Sequence, residues 1–111
     1  MAKSEIVSDH RLHLALTYLA ETDELCARAK AFMDGLRDRL KTVEAIGYLK
    51  SSGAVKERES EARATGEYKA HLKDIEDATV DYEIMRLKRS TNALLVDVWR
   101  TCQSNRRAGI I

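Results

Sequence analysis

Three histidines, two cysteines and 18 carboxylates are the side chains of this 111-residue chain with the most chemistry to offer. His10 and His13 stand three residues apart and can share one helical face, half of a metal site. A third ligand, normally Cys, Asp or Glu, must converge on them. The nearest, Asp9, is expected to point elsewhere. His71 follows Glu67 by four residues, which is not the Glu-x-x-His spacing of carboxylate-bridged metal bundles. Glu21 and Glu24 form half of a paired-carboxylate magnesium site; the nearest second half, Asp74 to Asp77, lies at the wrong separation. Cys26 and Cys102 sit among apolar neighbours in no paired spacing. A reactive thiol needs exposure and nearby positive charge. Only Cys102 has arginines close by, Arg100 and Arg106, and no histidine is near it. The sequence has no Gly-rich phosphate loop and no serine elbow. The expectation is therefore a non-enzymatic protein with no cofactor and no metal.

One segment is more suggestive. Val98 to Arg107 joins a tryptophan, Trp99, to Arg100 and an Asn105-Arg106-Arg107 ending. Arginine beside aromatic surface is what single-strand binders use. Nucleic-acid binding through Arg86, Lys88, Arg89, Arg100, Arg106 and Arg107 is accordingly the second reading of function. The net charge of +1 gives it no whole-chain support. The charge is nonetheless uneven: residues 57–83 hold nine acidic and four basic side chains, and residues 84–111 one acidic and six basic. Acids near a helix start and bases near its end also complement the helix dipole.

The elements that must position these residues are helices. Charged residues make up 33% of the chain, aromatics only 5%, and proline is absent, which removes the strongest helix breaker. From Leu12 a seven-residue repeat places Leu12, Leu19, Cys26, Met33 and Leu40 on one row. Ala15, Thr22, Ala29, Leu36 and Val43 fall on the next, the seam of a left-handed helix pair. A third row, Tyr18, Leu25, Phe32 and Ile46, widens the stripe to what a bundle interior needs. The spacing predicts helix 1 over about 9–46, capped by Ser8 or Asp9 and stopped at Gly47. A turn over 47–53 follows, then helix 2 over about 54–103 with a weak point near 65–66, then a frayed tail over 104–111. Residues 54–66 are polar on every side and read as a solvated extension of helix 2 or a connector.

Helix 2 carries two apolar stripes. One holds Tyr68, Leu72, Ile75, Ala78, Tyr82, Met85, Val96 and Trp99, with a polar gap at Arg89 and Asn92. The other holds Val80, Ile84, Leu87, Thr91, Leu94, Val98 and Cys102. Helix 1 can satisfy one stripe and be satisfied by it, so the second needs another partner. The expected architecture is all-α: a long antiparallel helical hairpin, a single domain, assembling with a second copy into a four-helix or larger bundle. The residues expected at that interface are Leu72, Ile75, Tyr82, Ile84, Leu87, Leu94, Val98 and Trp99. A turn near residue 50 would set Cys26 opposite residue 75 and Cys102 beyond the start of helix 1, so no intrachain disulfide is expected. No apolar run reaches membrane-spanning length, and the first residues lack a signal-peptide core. A cytoplasmic protein with free thiols, away from membranes, is the expectation.

The last 45 residues or so, with Trp99-Arg100 followed by Asn105-Arg106-Arg107, resemble small helical proteins of bacteriophages and prophages. The resemblance implies a phage origin and no particular mechanism.

Overall fold

The computed structural model describes residues 6–109; residues 110–111 of the expected tail lie outside that range. Three helices and no strand occur among the described residues, so the chain is all-α. They are α1 (Asp9–Lys50), α2 (Val55–Ala64) and α3 (Gly66–Arg107). The chain divides into two compact units, Met1–Cys26 with Ile84–Ile111 and Ala27–Glu83.

In the first unit α1 starts at Ser8, whose Oγ accepts the Arg11 amide at 3.2 Å and whose carbonyl accepts the Leu12 amide at 2.9 Å. The early part of α1 runs antiparallel to the late part of α3. Asp9 meets Trp99, and Thr22 meets Arg89. Val7, Ala15 and Thr22 are the buried residues here.

In the second unit Met33, Leu36 and Ala78 form a buried apolar cluster, with Ile75 and Tyr82 packed against it. His71 Nε2 donates to the Leu36 carbonyl, and Arg37 donates to the Thr79 hydroxyl at 3.2 Å. Helix α2 lies against the end of α1. A Cβ on Gly47 would sit 3.1 Å from the Ala62 Cα, and Ala62 is completely buried. Around that close approach Arg63 pairs with Glu44 at 3.1 Å. Arg58 donates to the Tyr48 carbonyl at 3.1 Å, with its guanidinium carbon 4.2 Å from the Tyr48 ring centre.

Several boundaries differ from those the sequence predicts. Helix α1 continues past Ile46 to Lys50, because Gly47 serves as a contact surface for Ala62 and does not end the helix. The turn shrinks to residues 51–54, where Gly53 takes a positive φ of 110° that other residues adopt at a cost. Residues 55–64 are neither an extension of the next helix nor a connector; they are a separate helix. The helix expected over about 54–103, with a weak point near 65–66, is broken at Thr65, whose backbone is extended (φ −66°, ψ 153°). The Thr65 hydroxyl accepts the Tyr68 amide at 3.1 Å and donates to the Ala62 carbonyl at 3.0 Å, so one side chain closes α2 and caps α3. At the other end α3 runs to Arg107, so residues 104–107 of the expected frayed tail are helical.

Folding back α2 also shifts the helix register. Cys26 does not face residue 75; it lines a shallow groove with Arg86, Arg89, Ser90 and Ala93, about three to five turns further along α3. Cys102 lies level with the start of the fold, beside Ile6, Leu94 and Val98. Both thiols are free and half-buried.

Candidate interaction surface

Successive residues of an α-helix turn by about 100°. Measured that way from Arg89, the residues Ile84, Leu87, Thr91, Leu94 and Val98 all fall within about 40° of the opposite side of α3. Arg89 faces α1. Its Nη1 donates to the Leu19 carbonyl at 2.8 Å and to the Thr22 hydroxyl at 2.7 Å, and its Nη2 donates to Asp23. The second stripe therefore points away from α1 in the first unit. Ile84 is 49% exposed, Leu87 56% and Leu94 61%, and Val98 is half-buried. Thr91 disposes of its hydroxyl within the helix, donating to the Leu87 carbonyl at 3.1 Å, which suits it to an apolar surface.

The eight residues expected at an interface between copies thus separate. Ile75 and Tyr82 pack against the buried cluster of the second unit. Trp99 is half-buried, and its indole N–H donates to Asp9 Oδ1 at 3.1 Å. These three belong to the pairing of α3 with α1 in their own chain. Leu72 lies on that stripe too, yet is 42% exposed. Ile84, Leu87, Leu94 and Val98 make the outer face.

Helix α1 is not fully satisfied within its chain either. In the first unit Leu14 and Leu25 are each 53% exposed. In the second unit Phe32 and Ile46 are exposed as well, although Tyr18 of the same row is half-buried in the first. This row was expected to widen the α1 stripe to what a bundle interior needs; Leu25, Phe32 and Ile46 on it are exposed.

The basic residues do not form one free surface. Arg89, with its side chain 23% exposed, is taken up in the seam. Arg100 lies 3.9 Å from Asp97 on its own helix. Lys88 and Arg107 are exposed, as are Arg86 and Arg106, which also make interactions of their own. The aromatic expected to stack beside them, Trp99, is committed to Asp9.

No group of three or more metal-ligating side chains converges among the described residues, and His71 is turned to the Leu36 carbonyl. A small groove in the second unit is lined by Val43, Ile46, Gly47, Lys50, Thr65 and Glu67; the Thr65 hydroxyl there is bonded to the Ala62 carbonyl and the Tyr68 amide. No described helix is long and apolar enough to cross a membrane. The outer face of α3 in the first unit carries three exposed large apolar side chains, Ile84, Leu87 and Leu94. What the sequence did not reveal is Arg89 as a seam residue and Gly47–Ala62 as a helix contact. The first signal was the polar gap in an otherwise apolar stripe; the second was a buried small-residue pair with no periodic signature. No protein-family model, curated protein or solved structure matches this chain.

Proposed function

We propose that this is a non-enzymatic, self-associating helical protein that acts through protein–protein contacts, with the outer face of α3 buried against a second copy in a four-helix or larger bundle. A phage or prophage origin belongs to the same reading and rests on the C-terminal resemblance alone. The observation that carries the proposal is the row Ile84, Leu87 and Leu94, each about half exposed or more on the side of α3 opposite its contact with α1. Removing the remaining surface of such side chains from water is worth about 1–2 kcal/mol each. Nucleic-acid binding draws less support, because two of the six cations it calls on, Arg89 and Arg100, already have acidic partners.

Light scattering on the purified chain tests this. A dimer or larger species is expected at micromolar concentration, and Leu94→Lys is expected to give a monomer of unchanged helicity. A monomeric wild type throughout that range contradicts the proposal.

A further inference from the structure

Two faces of α3 compete for α1. In the first unit the face that wins holds Met85, Arg89, Asn92, Val96 and Trp99, and the face that loses holds Ile84, Leu87, Thr91, Leu94 and Val98. By apolar content the loser is the better match for an α1 seam that includes Leu12, Ala15 and Leu19. Hydrophobic burial is non-directional and would favour that pairing. Two things hold the other one: α3 is a single helix whose Ile75, Ala78 and Tyr82 pack on that same stripe in the second unit, and the first unit adds a contact with direction.

Arg89 has that direction. Its guanidinium is a rigid planar fork of donors, and it meets three acceptors on α1: the Leu19 carbonyl, the Thr22 hydroxyl and the Asp23 carboxylate. Thr22 is only 8% exposed, and its hydroxyl hydrogen is already given to the Tyr18 carbonyl at 2.7 Å, leaving its oxygen to accept from Arg89. Turning α3 by half a revolution would carry Arg89 into water and set Thr91, which bonds within its own helix, where Arg89 had been. A polar residue in a helix seam fixes register and partner at some expense of stability.

We propose that Arg89 is the specificity determinant that assigns the two faces of α3, holding one on the α1 of its own chain and so keeping the other for a second copy. Naming a second copy as the occupant rests on the self-association reading. The assignment of faces in the first unit rests on the geometry of Arg89, with Trp99 bonded to Asp9 on the same side.

The test uses the full chain with Arg89→Met, Arg89→Lys and Thr22→Val, followed by circular dichroism, light scattering and the emission of Trp99. Trp99 is the only tryptophan and reports the α1-facing side through its bond to Asp9. Wild type is expected to give one mass and one emission maximum. Arg89→Met should keep its helicity but show a second mass at roughly a tenth of the total or more, a face preference cut to about tenfold, with red-shifted Trp99 emission. Arg89→Lys, which supplies a point charge without the fork, should fall between. Thr22→Val should move the same way and less far. An Arg89→Met protein with wild-type mass and emission overturns the inference. So does one that loses its helicity, since Arg89 would then be a stability residue and no selector. A monomeric wild type would remove the second copy and the self-association reading with it; the Trp99 emission of Arg89→Met would still decide whether Arg89 selects the face.

Discussion

The two stretches where α1 meets α3 are built on different chemistry. In the second unit the centre is apolar: Met33, Leu36 and Ala78 are each less than a tenth exposed, and Ile75 and Tyr82 close around them. Polar cross-contacts there, Arg37 to Thr79 and His71 to the Leu36 carbonyl, lie beside the cluster. In the first unit the centre is polar, with Arg89 across Leu19, Thr22 and Asp23, and the buried apolar side chains are small, Val7 and Ala15. Apolar burial supplies free energy but accepts any neighbour of suitable shape. Charge-assisted hydrogen bonds of fixed geometry supply about 1.5–3 kcal/mol each when aligned and reject misaligned partners. The contrast is between a contact held mainly by apolar burial and one held mainly by directed polar bonds.

That division can be broken from either side. The largest effect is expected from Leu36→Ala, which removes a branched side chain at the middle of the apolar cluster and should cost about 2–5 kcal/mol in chemical denaturation. It should leave the assembled mass unchanged where the protein is folded. The smaller effect is expected from Thr22→Val. Arg89 would keep the Leu19 carbonyl and Asp23 as acceptors, and a buried hydroxyl would become a methyl, so stability should fall by about 1 kcal/mol or less. If Thr22→Val proves as costly as Leu36→Ala, the polar seam is a second stabilising core and the distinction fails.

Much of the helical content was legible because it follows from periodicity. The row Leu12, Leu19, Cys26, Met33, Leu40 and its neighbour mark α1, and the two stripes of α3 are plain in the alternation of residues such as Tyr82, Ile84, Met85 and Leu87. The exposure of Ile84, Leu87 and Leu94 follows from the same counting: one helix cannot cover two opposite sides of its neighbour. Helix α2 was not legible in that way. Its anchor is Ala62 against Gly47, and small residues that allow close backbone approach leave no hydrophobic period. Its end falls at Thr65, where the sequence marks only a weak point in one helix; that the hydroxyl caps Tyr68 and starts a second helix is seen in the geometry. The register error at Cys26 follows from that single omission, because ten residues of folded-back helix displace everything after them. Arg89 looked like surface charge for a related reason. Sequence gives its position on the stripe, but only the geometry brings three acceptors within its reach.

The most direct test is whether the outer face of α3 meets its own copy. Thr91 lies at the middle of that face, so a spin label there, in a chain carrying Cys26→Ala and Cys102→Ala with Thr91→Cys, reports the contact in either helix orientation. Helices packed face to face lie about 8–10 Å apart. Pulsed dipolar spectroscopy should therefore give one short distance between chains, lost on adding Leu94→Lys. An absence of any dipolar signal between fully labelled chains at micromolar concentration would contradict burial of this face against a second copy.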